Sequence, residues 1–174
     1  TKKSLDEDQT TNDNSVRLDF HHIMTCIEVR VNCKYEGSVR LTSMTLTDTQ
    51  GRLVASGSFN CVDGSITPDA YTDKIKITPG RSLNGSNWIS NYIIMPEITD
   101  LKAEELTLSF VFNNIQAETS FTLPTVMKAG GVNTTIDRLA RGYKYTYNLT
   151  LDNTLKFVPV GVGEWTKEEV KLPI

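Results

Sequence analysis

Residues 105–123 read ELTLSFVFNNIQAETSFTL, and their pattern of apolar residues is the clearest indication of the fold class. In its first half, every second residue is apolar: these residues are Leu106, Leu108, Phe110 and Phe112. Because successive side chains of a strand point to opposite faces, this alternation predicts a half-buried β-strand. A return strand follows from Ala117 to Leu123, and the four residues between the two halves suit a β-hairpin loop.

The same period of two recurs along the chain. It predicts strands at Val16–Asn32, Val39–Asp48, Leu53–Asn60, Ile75–Ile77, Ile93–Met95, Tyr143–Leu151 and Phe157–Val162. In the first of these the apolar phase changes at Cys26 and Ile27, which predicts a bulge or bend in one long strand that crosses between two sheets. Pro79 and Pro96 close the two short strands, so both are predicted to lie at sheet edges or to end at these prolines. The stretch from Thr134 to Ala140 is predicted to form one or two helical turns.

Composition supports the same fold class. The 174 residues include 22 Thr, 13 Val and 12 Ile but only 6 Ala, and β-branched side chains favour pleated sheets over helices. With turns every ten residues or so, the sequence predicts an all-β protein, a two-sheet antiparallel β-sandwich of seven to nine strands. Residues 1–15 hold one large apolar side chain, Leu5, and are predicted to be a flexible leader; residues 16–174 form a single domain.

Charge and hydropathy exclude several functions. The 18 basic and 21 acidic residues are mixed, for a net charge of −3, so we expect no binding to nucleic acid or to anionic membrane surfaces. No apolar stretch approaches the roughly 18 residues of a membrane span. The three cysteines, Cys26, Cys33 and Cys61, match neither a zinc pattern nor a disulfide scaffold. We interpret them as small buried side chains, with one disulfide among them as the alternative.

The sequence offers little for catalysis or metal binding. Its two histidines, His21 and His22, are adjacent, and neighbours on a strand point to opposite faces, so we expect them not to share a site. A zinc site from His22, Cys26 and Cys61 is disfavoured because strand positions four apart lie about 13 Å from each other. We therefore predict no enzyme, no metal and no cofactor.

Two groups of aromatic residues invite different interpretations. Tyr71, Trp88 and Tyr92 lie in irregular polar stretches, where exposed rings can stack on sugars or pack over the ends of the sandwich. Both alternatives stay open from the sequence. The regular row of Tyr143, Tyr145 and Tyr147 is instead predicted to be core and sheet face.

Three motifs resemble a known family, in matching order and spacing. Val16–Val31 resembles the apolar-x-Phe-x-His strand of fimbrillin-like proteins from Bacteroidales, with Phe20 and His22 at its distinctive positions. Gly142–Leu151 is similar to the Gly-x-x-Tyr-x-Tyr-x-Leu strand near the end of those chains, and Val160–Trp165 resembles the closing Val-x-x-x-x-Trp.

The resemblance implies a transthyretin-like β-sandwich, exported and lipidated at an upstream Cys, displayed at the outer membrane and assembled into fimbriae by donor-strand exchange. Family members are two-domain chains, so this chain is expected to be the C-terminal half. The residues expected to set the sheets and their register are Phe20, His22, Tyr145, Tyr147 and Trp165, and the segment expected to contact a partner carries Val170, Leu172 and Ile174.

The leading functional hypothesis is therefore a non-enzymatic structural or adhesive subunit of the bacterial cell surface, with other fimbrial subunits or itself as partners. The alternative is a surface carbohydrate-binding module that uses Tyr71, Trp88 and Tyr92.

Overall fold

A computed structural model describes residues 10–11, 15–34, 39–80, 82–83, 87–113, 115–151, 156–164 and 168–173. These residues are β-strands and connections, without a helix. In chain order, the strands are β1 Thr10–Thr11, β2 Ser15–Phe20, β3 Thr25–Cys33, β4 Val39–Asp48, β5 Leu53–Phe59, β6 Ile66–Thr72, β7 Lys74–Ile77, β8 Ser82–Leu83, β9 Ile89–Met95, β10 Leu106–Phe112, β11 Ile115–Thr122, β12 Val126–Ala129, β13 Val132–Thr135, β14 Tyr143–Leu151, β15 Lys156–Glu164 and β16 Glu168–Pro173.

Two sheets form the layers of a sandwich and enclose one core. The first has the order β15–β14–β3–β9, and the second has the order β11–β10–β4–β7 with β8 beside β4. Both layers contribute to the core, for example Val29 and Tyr147 from the first, and Met44 and Phe110 from the second. The all-β, two-sheet sandwich predicted from the alternating pattern is confirmed. Its transthyretin-like character stays a prediction.

One pairing at the centre of the first sheet departs from the predicted antiparallel arrangement. Strands β3 and β14 run parallel, with Ile27 opposite Tyr145 and Val29 opposite Tyr147. The other pairings in the two layers are antiparallel, as predicted. The alternating pattern could not distinguish these cases, because it defines which face a side chain occupies and not the direction of the neighbouring strand.

The predicted hairpin and edge strands are confirmed. Strands β10 and β11 pair as a hairpin, although Phe112 already lies opposite Ile115, which makes the connection shorter than expected. Strands β7 and β9 lie at the edges of their sheets, as the prolines after them predicted. Strand β9 begins at Ile89, earlier than the apolar run that revealed it.

Three local predictions are wrong. The long bent strand is two strands, because the chain leaves the extended pattern between Phe20 and Thr25. The phase change arises because β3 is buried on both faces, with Cys26 and Ile27 both fully buried. The expected helical turns are absent: β13 pairs with β12, and residues 136–138 are irregular. Cys26 and Cys33 are buried free thiols as expected, but Cys61 is exposed because it lies in a turn at the tip of a ribbon.

Strands β1, β2 and β16 form a separate three-stranded sheet. Strand β16 pairs antiparallel with β2, with Val170 opposite Leu18 and Leu172 opposite Val16. Of the predicted leader, residues 1–9 and 12–14 lie outside the described residues, whereas Thr10 and Thr11 pair with β2. In the part of the chain described, no helix is long and apolar enough to cross a membrane.

Candidate functional site

A cleft opens at one end of the sandwich, and we call it the end cleft. It has two adjoining lobes, of about 310 and 460 Å³, which share Ile23, Gly64 and Arg141. The first, the ribbon lobe, is lined by Arg52, Val54, Ile66, Pro68, Tyr71 and Glu97, among others. The second, the histidine lobe, is lined by His21, His22, Asp63, Tyr143 and Glu164. Volumes of this size are typical of small-molecule sites.

One wall of the ribbon lobe is the two-stranded ribbon of β5 and β6. Val54 lies opposite Tyr71 in this ribbon, and Phe59 lies opposite Ile66. Because directly paired residues share a face, one face of the ribbon carries apolar side chains. Most of β5 beyond Leu53 is nevertheless exposed, so the ribbon projects from the sandwich. The apolar lining of the ribbon lobe therefore comes from an element with little core contact of its own.

Arg52 links the base of the ribbon to the opposite wall. Its Nε and Nη2 donate to Asp48 Oδ2 at 3.0 Å and to Asp48 Oδ1 at 2.9 Å, and Nη2 also donates to Glu105 Oε2 at 2.9 Å. Its Nη1 lies 3.5 Å and 3.4 Å from the carbonyl oxygens of Thr99 and Asp100. This guanidinium thus connects the β4–β5 turn to the segment that forms the second wall of the lobe.

Electrostatics reinforce the position of Arg52. Burial alone raises the pKa of the Asp48 carboxyl, but hydrogen bonds from the side chain and backbone of Arg52 and from the Gln50 amide outweigh it and lower that pKa. The bond to Asp48 likewise raises the pKa of Arg52. Both groups are therefore charged near neutral pH, and their bidentate geometry fixes the guanidinium in place.

Backbone hydrogen bonds fix the remaining walls. Ile98 and Leu139 exchange two of them, at 3.1 and 2.8 Å, and the Leu101 amide donates to the Asp137 carbonyl at 2.7 Å. On the other side, the Gly142 amide donates to the Met24 carbonyl at 2.9 Å. Gly142 has a φ of +76°, a conformation that glycine adopts without strain. The cleft is therefore framed by the fold before any ligand binds.

The two core tyrosines hold connections near the cleft through their hydroxyl groups. Tyr145 Oη accepts from the Ala140 amide at 2.8 Å and donates to the Arg138 carbonyl at 3.1 Å. Tyr147 Oη donates to the Pro124 carbonyl at 3.4 Å. Burial raises the pKa of both phenols, so they stay protonated donors. Each ring lies in the core while its hydroxyl group positions a loop.

A buried carboxylate organises the outer face of the first sheet. Glu28 is 3% exposed, and its oxygens accept from Ser90 Oγ at 2.7 Å and Thr146 Oγ1 at 3.2 Å. The amino group of Lys144 and the guanidinium of Arg30 each lie 3.3 Å away. Burial raises the pKa of Glu28, but these hydrogen bonds and charges outweigh it and lower the pKa to about 2. This cluster ties β3, β9 and β14 together.

The structure separates the residues predicted as glycan contacts. Tyr71 lies in the end cleft and is 62% exposed. Tyr92 lies on β9, where its hydroxyl group is 3.4 Å from Glu28, and it borders a different depression with Ser90 and Pro79. Trp88 precedes β9, at the end away from Met95. Tyr71 and Trp88 therefore do not form one aromatic platform.

The residues predicted to set the sheets and their register also lie in different parts of the structure. Tyr145 and Tyr147 are core residues, as predicted, and Tyr143 at the start of the row is partly exposed. His22 lines the histidine lobe together with His21. The expectation that adjacent histidines cannot share a site is wrong here, because residues 21–24 are not in a strand.

Other predicted residues cannot be placed by side chain. Trp165 and Ile174 lie outside the described residues. For Phe20, Val170 and Leu172, the structure describes the strand pairing of the backbone alone. Within the described part of the chain, no group of three His, Cys, Asp or Glu side chains is placed to hold a metal ion.

Sequence reasoning missed the charged residues of the end cleft, including Arg52, Glu97 and Arg141. One signal was present: residues 48–52 read Asp-Thr-Gln-Gly-Arg, an acidic residue before a glycine turn. Asp48 accepts backbone hydrogen bonds from Gln50 and Arg52, which is how aspartate stabilises such turns. The other cleft residues come from segments far apart in sequence, so no local pattern joined them.

Comparison with known proteins gives a family and a fold. A protein-family model described as fimbrillin-like matches residues 4–165. Among solved structures, a candidate cell adhesion protein from Bacteroides ovatus aligns with a TM-score of 0.54 and 17% identity over 83% of this chain. A candidate cell adhesion protein from Bacteroides uniformis aligns with a TM-score of 0.50 and 14% identity over 92% of this chain.

The chain spans 46% of the first of these proteins and 69% of the second. At such identities the likeness concerns the fold. A search among curated proteins finds no significant relative.

Proposed function

Because this chain belongs to the fimbrillin-like family, we propose that it is a non-enzymatic structural subunit of bacterial cell-surface fimbriae, which assembles with other subunits by β-strand exchange. One observation carries the assembly step. Strand β16 pairs with β2 over Glu168–Pro173 and Ser15–Phe20, in a sheet separate from both layers of the sandwich.

That pairing supports exchange between subunits on physical grounds. The β2–β16 ladder consists of main-chain hydrogen bonds, which the same strand of another subunit satisfies equally well. Because β2 and β16 belong to neither layer, exchange of β16 leaves the pairing order of both sandwich sheets unchanged. The free energy of exchange is therefore small per subunit, and assembly is governed by concentration and by further contacts.

Cross-linking across this ladder tests the proposal. Leu18 and Val170 are Cα partners, so cysteines at the two positions are within disulfide distance when the strands pair. In a Cys61→Ser background, Leu18→Cys chains mixed with Val170→Cys chains should form a disulfide-linked heterodimer after incubation at high concentration. Chains that carry both cysteines should give the intramolecular bond as a positive control.

A mixture of Val170→Cys with Lys102→Cys, an exposed loop position outside this sheet, serves as the matched negative control. Strand exchange is refuted if the double variant closes its disulfide and the Leu18 and Val170 mixture gives no more heterodimer than the control.

The proposal includes location. Family membership supports display at the cell surface, and we place the chain at the outer membrane through a lipid on a cysteine upstream of residue 1. Palmitate labelling of cells that express the complete reading frame should mark this protein, and substitution of the upstream cysteine should abolish the label. Surface exposure without any label would contradict the lipid anchor and leave the assembly step to the cross-linking test.

A further inference from the structure

The end cleft is lined by several polar and charged side chains. Arg141, Glu97, Glu164 and His21 line its two lobes. Within the described part of the chain, their side chains make no hydrogen bond or ion pair with one another or with their neighbours. Arg141 lies where the two lobes meet and so faces both. Planar donors and acceptors that converge on open space can bind a ligand rich in hydrogen-bonding groups.

The ribbon that forms one wall of the cleft carries several large apolar side chains that are exposed to solvent. Val62, in the turn that joins β5 to β6, is 74% exposed, and Tyr71 and Phe59 on the two strands are 62% and 45% exposed. Isolated exposed apolar residues are normal, but a group on one projecting element marks an interaction surface. Tyr71 belongs to the ribbon lobe, so its ring and the unpaired polar groups face the same space.

The charges of the cleft restrict what it can bind. Arg52 is already neutralised by Asp48 and Glu105, so among the described residues that line the ribbon lobe, Arg141 is the cation available to a ligand. Against it stand the carboxylates of Glu97, Asp63 and Glu164. An anionic ligand would meet like charges in both lobes, and a cationic ligand would meet Arg141 where the lobes join, whereas an uncharged ligand would meet donors and acceptors alone.

Hydrogen bonds hold the walls of the cleft in place, so a ligand can bind without moving them. Arg52 joins the ribbon to Thr99 and Asp100, and the Ile98–Leu139 hydrogen bonds fix the facing segment. A preformed cleft saves the entropy of ordering its walls, which is one way a small interface reaches useful affinity.

We propose that the end cleft binds a neutral oligosaccharide, with a sugar ring stacked on Tyr71 and its hydroxyl groups hydrogen-bonded to Arg141, Glu97 and Glu164. An exposed aromatic ring offers an apolar face to the C–H face of a sugar, while carboxylate and guanidinium groups bond vicinal hydroxyls. Tyr71 therefore contacts sugar, and Trp88 and Tyr92 do not. The residues that would contact the sugar lie outside the paired positions of the β2–β16 ladder, so their variants test sugar binding without replacing a residue of that ladder.

The test starts with the full chain on an array of neutral hexose and N-acetylhexosamine oligosaccharides, together with their sialylated and sulfated counterparts. Saturable binding to neutral glycans, above the acidic counterparts, is the expected result. The best neutral glycan is then titrated by calorimetry. Tyr71→Ala and Arg141→Ala should each weaken binding about tenfold or more, because each removes a stacking or charge-assisted contact.

Trp88→Ala is the matched control, since it removes an exposed aromatic ring away from the cleft, and binding should change by less than about twofold. Tyr71 and Arg141 are exposed, so their variants should keep the wild-type circular dichroism. Glu97→Gln provides a second variant, expected to weaken binding without altering the fold.

Three outcomes would overturn the proposal: no neutral glycan bound on the array, neutral glycans bound equally by the Tyr71→Ala variant, or sulfated glycans bound in preference. Binding of a lysine-rich peptide, lost on Glu97→Gln, in place of any glycan would identify a basic polypeptide as the ligand and equally reject the saccharide. Because the cross-linking test of strand exchange uses other residues, failure of either proposal is recognisable by itself.

Discussion

The side chains of Arg52 and Asp48 are joined by two hydrogen bonds, Nε to Oδ2 at 3.0 Å and Nη2 to Oδ1 at 2.9 Å, at the base of the end cleft. Asp48 is completely buried, so its charge depends on this partner. Removing the guanidinium leaves the buried Asp48 carboxylate with the backbone amides of residues 50 and 52 but no opposite charge, and a buried charge without its counter-ion is strongly destabilising. Arg52→Met should therefore lower the free energy of unfolding by about 3 kcal/mol, measured by urea denaturation at neutral pH.

Arg138→Met is the control for this variant, because Arg138 forms an exposed ion pair with Asp137. Exposed pairs are worth little, and the expected change is below about 1 kcal/mol. Equal effects of the two substitutions would show that the Arg52–Asp48 pair is not the stabilising contact inferred from its geometry. Restored stability in an Asp48→Asn/Arg52→Met double variant would support it.

Glu28 should make the protein sensitive to acid. Its pKa falls from 4.5 to about 2 in the folded state, because the hydrogen bonds and cations around it outweigh burial. The unfolded chain thus binds a proton more readily than the folded one, so the stabilisation is complete above about pH 4.5 and is lost as the pH falls toward 2. Within that window the group contributes up to about 1.4 kcal/mol per pH unit.

Urea denaturation at several pH values between 7 and 2.5 checks this expectation. The Glu28→Gln variant should be less stable than the wild type at pH 7 and should lose less stability on acidification. The dependence of the unfolding free energy on pH that remains in this variant comes from groups such as Asp48, whose pKa is also lowered in the folded state. Asp69→Asn, on an exposed carboxylate of β6, should keep the wild-type slope. If the unfolding free energies of the wild type and of Glu28→Gln fall equally with decreasing pH, Glu28 is not a source of the acid sensitivity.

The sequence predicted the elements whose burial is one-sided and regular. Leu106 to Phe112 alternates because one face of β10 meets the core, and the hairpin followed directly. The alternation of Tyr145 and Tyr147 in β14 likewise predicts that both lie in the core, and both do. Strand β6 was missed because Pro68 and Asp69 are unfavourable within a sheet. A two-stranded ribbon has no central strand, so Pro68 is tolerated there.

The candidate site could not be predicted in the same way. His21 and His22 continue the alternation of β2, so nothing local indicated that the chain would turn and bring both into one cleft. Arg141 and Glu164 meet them only because β3 and β14 pair in parallel with a long connection between them. Such contacts depend on topology, which side-chain periodicity does not encode.

Tyr145 should stabilise the protein through its hydroxyl group as well as its ring. Tyr145→Phe keeps the buried ring but leaves the Ala140 amide and the Arg138 carbonyl without this partner. The expected loss is about 1–2 kcal/mol, whereas Tyr147→Phe, which removes one long hydrogen bond to Pro124, should cost less. Thermal unfolding of both variants measures the difference, and a larger effect at Tyr147 would reverse the ranking argued from these distances.

The three thiols should differ in reactivity. Cys61 is exposed, while Cys26 and Cys33 are buried, and burial raises the pKa of Cys26 to about 11. Because the thiolate is the reactive form, Cys26 is protected by both inaccessibility and protonation. Ellman's reagent should therefore titrate one thiol in the native protein and three after denaturation. Cys61→Ser should show no rapid reaction, and a rapid second thiol in the native wild type would contradict the burial of Cys26 and Cys33.

Gly57 should be required for the ribbon that walls the cleft. A Cβ at this position would lie 2.7 Å from the carbonyl oxygen of Thr67 on the paired strand, too close for any ordinary contact. Since that atom is backbone, the two strands must separate, at a cost of about 1–3 kcal/mol. The ribbon projects from the sandwich, so the strain should open it locally and leave the core folded.

Hydrogen exchange of the β5 and β6 amides measures this effect. Gly57→Ala should lose protection across the ribbon while β10 and β14 keep theirs, and the affinity for neutral glycan should fall with it. Gly163→Ala is the matched control, because a Cβ there meets nothing within 4 Å. If the β5 and β6 amides of Gly57→Ala keep their wild-type protection from exchange, the two strands are not packed as closely at Thr67 as the 2.7 Å distance indicates. The close β5–β6 pairing would then not be what holds this wall of the cleft.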